Sequence, residues 1–458
     1  MVNFSVGRSA LALVLFVACL GLMGDAAGKD PEWTYDNDTD VDDVDISDDG
    51  KYLVSSGDGI YFFETANNTP DWTYDTDYES SFADITPNGY HVATLGGGDD
   101  LRLFNRDSNS PNWTVSTSGY AVAISDDGNY IVSGQSSSTS TGYDVVALYA
   151  TNSSTPIWTY DTNAGSIIAL DITPNASKIV VGTGGGYYFE FNRNSSTPVV
   201  SLNADGNSVQ SVAISDNGEY IVAGMQQSSG NGPSQWNRIY LFKSGNEDYL
   251  DYTGSSGQAV RAVAINSNGS LFASCTRASL ELFSKNSDDE MVEEWTNGGG
   301  CRPGQDSAQT VAMSRGGDYI VTTSDSGGYG LNFFSKDSST PLWSGTGFDN
   351  YPGASISISS NGQHIAFSWD DEVYYYKNHL PVATINNVSS SNIVFGDSIT
   401  FNGSATDSDG SVSKYEWSSS IDGILSNQTS FSTSSLSSGT HLIKFRAQDN
   451  HTFWSEYT

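Results

Sequence analysis

"VAISDDGNYIVSG", residues 122–134, alternates apolar with small or polar residues on both sides of Asp126-Asp127-Gly128. Period-two alternation marks a half-buried strand, and Asp-Gly between two such runs is a strong short-range hairpin signal. The pattern returns as "VAISDNGEYIVAG" (212–224) and "VAMSRGGDYIVTT" (311–323). Aligned on the turn, the chain holds eight copies, with glycines at 50, 89, 128, 218, 269, 317 and 362 and Ala176 in the fourth slot. Successive turns lie 39 to 51 residues apart, the spacing of propeller blades or solenoid repeats.

Each unit carries four strand-like pieces: "AIS" or "DIS", "YIV" or "YLV", a third such as "LRLF" or "VALY", and a tryptophan piece such as "PEWTY" or "PIWTY". Four antiparallel strands make a blade, and radial packing buries both of its faces. A tryptophan piece opens the series at Trp33 before any hairpin, whereas the eighth unit ends at "VYYYK" (373–377) without one. The first strand is therefore expected to complete the last blade. The reading is an all-β chain with an eight-bladed β-propeller over 29–380, in which Trp33, Trp72, Trp113, Trp158, Trp295 and Trp343 pack between blades.

The "S-D-D-G" and "S-D-N-G" turns resemble those of WD-type repeats, and "STPIWTYDT" (154–162) is similar to the tryptophan-docking segment of quinoprotein-like (PQQ-like) propellers. "PVATI" (381–385), "GDSITFNGSATDSDGSVSKYEWS" (396–418) and "LSSGTHLIKFRAQD" (436–449) resemble a PKD domain, an immunoglobulin-like sandwich of archaeal and bacterial surface proteins. That resemblance implies a sandwich over 381–458 with Trp417 in its core and "DSDG" (407–410) as a turn. It also implies an incomplete domain, because the chain stops at Thr458 before the last strand.

Residues 1–28 read as a secretory leader: Arg8 precedes the apolar run "ALALVLFVACLGLMG" (10–24), and small residues follow. No later run is long enough to span a bilayer. Fifty-four acidic against 19 basic side chains give a net charge of −35, which repels nucleic acid and anionic lipid. An extracellular or cell-surface location follows, with a protein or glycan partner.

The quinoprotein likeness implies pyrroloquinoline quinone, but the family's vicinal cysteine pair is missing. No G-x-S-x-G or H-E-x-x-H motif occurs, and His91 and His364 fall in repeat slots. A non-enzymatic binding or adhesion protein without a cofactor is expected; a propeller enzyme and an envelope scaffold are the alternatives.

Long polar insertions at 134–144, 224–238, 297–309 and 324–330 project mostly from one face, where recognition usually resides. Arg238, Arg261, Arg277 and Arg302 map to the same face, suited to a carboxylate or sulfate or to neutralising nearby acid such as Asp306 or Asp318. Trp236 and Trp369 lie there outside the tryptophan slot, either to stack on a ligand or to tuck under the loop. Cys275 and Cys301 are positioned for a disulfide in an oxidising compartment. "DNDTDVDDVD" (36–45) offers Asp36, Asp38, Asp40 and Asp42 as Ca²⁺ ligands, without the glycine and glutamate of an EF-hand. Asp45, Asp84 and Asp171 share a first-strand slot, either as a cation ring or as local hydrogen-bond acceptors. Sequons at Asn67, Asn152 and Asn194 fall on the face opposite the insertions.

Overall fold

The computed structural model describes residues 27–37, 39–76, 82–96, 100–135, 144–204, 207–226, 238–253, 259–299, 301, 310–324, 330–345, 348 and 355–458. Among them every regular element is a β-strand. In the quoted copy, Gly119–Ile124 pairs antiparallel with Tyr130–Gln135. The Ser125 hydroxyl donates to Asp127 Oδ1 (2.7 Å) and accepts the Tyr130 N–H (3.1 Å), and Asp127 Oδ1 accepts the Asn129 N–H (3.0 Å). This network is what the Ser and the second Asp of the motif supply. The turn residue itself is left-handed in all eight copies, with φ from 55° at Ala176 to 81° at Gly317, which is why glycine dominates there.

The hairpins build eight antiparallel blades, and in blades 1 to 7 the four blade strands run in chain order from the inside out. The inner strands are Val41–Ile46, Phe82–Ile85, Gly119–Ile124, Ile167–Ile172, Ser208–Ile214, Val260–Ile265, Val311–Met313 and Ile356–Ile358, for blades 1 to 8. Each inner strand packs on the next, and that of blade 8 packs on that of blade 1. The ring of WD-like repeats is closed. Blade 8 takes Trp33–Asp36 as its outer strand, with Trp33 opposite Tyr375, so the N-terminal strand does complete the last blade. Ala27–Gly28, from the end of the expected leader, adds to blade 7 parallel to Trp343–Gly345.

The outer-strand tryptophans join neighbouring blades by more than contact area. Each indole N–H donates to the loop that follows the third strand of the next blade: Trp33 to Thr65 O (2.9 Å), Trp72 to Arg106 O (2.7 Å), Trp113 to Thr151 O (2.8 Å). Trp158 and Trp295 reach Arg193 O (2.6 Å) and Lys336 O (2.7 Å) in the same way, and Trp343 donates to the Asn378 side chain (2.8 Å). Blade 4 has Val200 in the slot. There the link is Glu190, 1% exposed, which accepts from Ser244 Oγ (2.7 Å) and Gly245 N (2.8 Å) of blade 5 and pairs with Lys178 (2.6 Å).

Beyond the ring, two three-stranded sheets face each other: Val382–Val388, Ile399–Thr406 and Ser430–Thr433, against Gly423–Ser426, Val412–Ser419 and Ile443–Asp449. Phe401, Trp417 and Phe445 are fully buried between them. Residues 454–458 run antiparallel along Ile443–Asp449, with Ser455 N–H donating to Ala447 O (2.8 Å) and Phe445 and Thr458 exchanging both backbone bonds (3.1 and 3.0 Å). Five residues suffice for this pairing, too short a run to read from "HTFWSEYT".

Replacing Trp72 by Phe keeps the ring but removes one inter-blade donor, and should lower stability by about 1 kcal/mol. Trp72→Ala, which also opens a cavity, should cost about 3 kcal/mol. Urea denaturation of the two variants checks the order.

Candidate functional site

The inner strands enclose a central channel with a cavity of about 430 Å³. Its end at the hairpin turns is closed by one side chain. Arg315, from the "SRGG" turn of blade 7, bonds Asp48 of blade 1 through Nη1 (2.8 Å), Asp126 of blade 3 through Nη2 (3.0 Å) and Asp216 of blade 5 through Nε (2.7 Å). All four residues sit two positions before the turn residue, a slot filled by Pro87, Pro174, Ser267 and Ser360 in the even blades. The turns are also tied by backbone: Ser360 N–H to Asp48 O (3.1 Å), Arg315 N–H to Ser360 O (3.2 Å) and Ser267 N–H to Arg315 O (2.9 Å). Burial, and the other two carboxylates, push Asp126 above the usual carboxylate range against the pull of Arg315; Asp216 is raised by burial in the same way. The sequence reading missed this hub, although an arginine in a slot otherwise Asp, Pro or Ser was its signal.

Asp45, Asp84 and Asp171 line the channel wall and follow the local alternative. Asp45 accepts from Ile46 N (2.8 Å), from Ser357 Oγ (2.6 Å) and from Ile85 N of blade 2 (3.0 Å). Asp171 accepts from Ile172 N (2.7 Å) and Ile214 N of blade 5 (2.8 Å), and Asp84 from Ile124 N of blade 3 (2.7 Å). Each carboxyl sews its inner strand to the next blade. Enclosure by protein pushes Asp171 up to about 7, and drives Asp84 well above the carboxylate range with help from the charge of Asp45.

At the opposite end lies the insertion face. Much of it, including Trp236, Arg302 and most of the four insertions, lies outside the described residues. Arg238 is committed to an ion pair with Asp251 on the adjacent outer strand of its own blade. Arg261 and Arg277 are brought together. Arg261 lines the channel mouth, donates through Nη1 to Gln226 Oε1 (3.0 Å) and keeps an enclosed Nε with no hydrogen-bond partner. Burial, then the charge of the exposed Arg277, hold its guanidinium below the usual range. Neither makes an ion pair with a carboxylate among the described residues, and Asp306, one of the acids named for the neutralising alternative, lies outside them.

Trp369 takes the tucked alternative: it ends the strand His364–Trp369, is 3% exposed and packs with Phe348 and Phe367 in the core. It has no surface for a ligand. Cys275 and Cys301 are joined, with Cα atoms 5.6 Å apart, in the apolar cluster beneath the face.

Of the four aspartates read as calcium ligands, three lie among the described residues. Asp36 ends the outer strand of blade 8, Asp42 lies on the inner strand of blade 1, Asp40 is exposed between them, and Asp38 lies outside the described residues. Consecutive acidic residues are thus parted by the chain crossing from one blade to the next. Among the described residues no three His, Cys, Asp or Glu side chains come together to hold a metal. Asn67, Asn152 and Asn194 are exposed in the loops after third strands.

A family model for the WD domain, G-beta repeat, matches residues 30–60, which span the ring-closing strand and the first hairpin. No curated protein matches the chain. Among the described residues no helix is long and apolar enough to cross a membrane.

Arg315→Met should destabilise the ring by about 1–3 kcal/mol at pH 8, the range for a half-exposed cluster screened by solvent. The loss should shrink at pH 4, where Asp126 and Asp216, raised by burial, take up protons; melting temperatures at the two pH values check the sign. Reducing Cys275–Cys301, 26 residues apart, should cost about 3 kcal/mol in thermal unfolding.

Proposed function

We propose that the chain is an exported, non-enzymatic recognition protein of the cell surface or extracellular space, whose ligand engages the propeller at the channel mouth on the insertion face. The observation that carries this reading is the asymmetry of the channel: Arg315 and its three aspartates close one end, and the other opens beside Arg261 and Arg277, two cations without acidic partners among the described residues. In a chain of net charge −35, a paired guanidinium site suits a carboxylate or sulfate on an extracellular glycan or protein. The sequons leave this face free, and the C-terminal sheets, which resemble a PKD domain, hold the ring from the side of the turns. Binding of the mature protein to arrays of acidic and matched neutral glycans and peptides tests the reading. Acid-dependent binding that falls more than tenfold in Arg261→Ala and Arg277→Ala is expected; binding unchanged in both variants would overturn it.

A scaffold reading has one observation in its favour. Ala27–Gly28 already adds to the outer edge of blade 7, so a blade edge accepts a further strand. An absence of any array binding, together with capture of a partner that is lost when a blade edge is blocked, would favour it.

A further inference from the structure

The C-terminal sandwich is seated on blade 7. Phe453, 5% exposed, stacks on Tyr319 (centroids 4.4 Å apart), and Thr452 Oγ1 donates to the Tyr319 hydroxyl (3.1 Å). Tyr319 occupies the turn-face aromatic slot that Arg106 covers over Tyr52 in blade 1 and Arg193 covers over Tyr130 in blade 3. Beside this plug, Asp409 Oδ2 takes the Lys29 ammonium (2.5 Å) and the His379 N–H (3.1 Å), joining the sandwich to the two ends of the propeller chain.

Asp409 is not alone. Both carboxyl oxygens of Asp407, Oδ1 of Asp409 and Oδ2 of Asp449 are enclosed with no hydrogen bond of good geometry, and Asp449 is 1% exposed. The charged and titratable groups facing them are Lys29, His379 (itself bonded to Glu32) and His451, whose Nδ1 is also enclosed without a partner; Asp318 lies behind Tyr319. One ammonium cannot neutralise three carboxylates. Unpaired buried charge is too costly to keep, so the excess carboxyls hold protons.

We propose that this junction is a proton-dependent latch, engaged at acid pH and loosened as the pH approaches and passes neutrality. Burial, then the charges of Asp407 and Asp409, push Asp449 up to about 7; burial and Asp409 raise Asp407. Released into water, such carboxyls titrate near about 3.9. Docking therefore takes up protons: it is strongest below about pH 4, weakens by up to about tenfold per proton for each pH unit above that, and levels off above about 7. His451 acts the other way, because burial and Lys29 hold its imidazole below the usual range. It offsets one of the two carboxyls and has no effect above about 6.5. Asp409, held below the carboxylate range by Lys29 despite its burial, stays ionised throughout.

The test uses the full chain with its disulfide intact and a donor–acceptor dye pair on cysteines introduced by Asn68→Cys on the propeller and Ser435→Cys on the sandwich, both exposed sites. A single narrow distance distribution at pH 5 that broadens by pH 8 is expected. Asp407→Asn combined with Asp449→Asn should stay narrow at both. Phe453→Ala, lacking the plug, should be broad at both. The latch is overturned if the unsubstituted junction gives the same distribution at pH 5 and pH 8, or if the double variant keeps the full pH response. A narrow distribution in Phe453→Ala would overturn the docking contact on which it rests.

Discussion

A blade has two apolar faces and can leave neither in water, so everything in this molecule depends on closing the ring. The indole N–H of each outer-strand tryptophan is the recurring link: it crosses to the next blade, to a backbone carbonyl in five cases and to the Asn378 side chain from Trp343, while the ring of Trp72 covers the aromatic residues beneath. Closure reuses the same link, since Trp33 stacks on Tyr375 and donates to Thr65 across the seam between the chain's first and last strands. In blade 4, where Val200 takes the slot, Glu190 crosses to the same loop of the neighbouring blade with two hydrogen bonds; blade 5, whose outer strand Tyr249–Thr253 also lacks the tryptophan, sends the Tyr252 hydroxyl to Glu293 of blade 6. A repeat protein with nearest-neighbour interfaces tolerates such substitution as long as every interface is crossed.

Closure also makes the two ends of the channel unlike. On the turn face every loop is short, the turns bond to one another, and odd blades send one arginine and three aspartates to the axis. The sandwich sits on that side through Phe453. On the other face the loops are long and the inner strands begin. The carboxyls along the wall are already used to sew inner strands together, which leaves the guanidinium pair at the mouth as the groups with capacity to spare.

What could be read from sequence was whatever repeats. The turn slot, the four pieces per blade and the unmatched Trp33 are periodic, and periodicity is enough to place them on the ring. Arg315 broke the pattern visibly, but its three partners are 99 to 267 residues away, and only the eightfold geometry brings alternate blades to one point. Trp369 was left between two placements because a residue at a strand end can face a ligand or the core, and only the packing of Phe348 and Phe367 around it decides. Arg238 and Asp251 meet through the register of two outer strands, which depends on a loop length the sequence does not reveal. The junction carboxyls escaped notice because "DSDG" and "QDN" are ordinary turn sequences; only the fold brings Asp407, Asp409 and Asp449 together, beside Tyr319 of blade 7.

Native-state hydrogen exchange across the seam tests the central claim most directly. If Trp33–Asp36 closes the ring, the amides it shares with Glu372–Lys377 should exchange only through global unfolding, with the same denaturant dependence as the hairpin Gly119–Ile124 and Tyr130–Gln135 in blade 3. Exchange at the seam through a local opening of much lower free energy, with blade 3 still protected, would contradict closure as the constraint on which the structure depends.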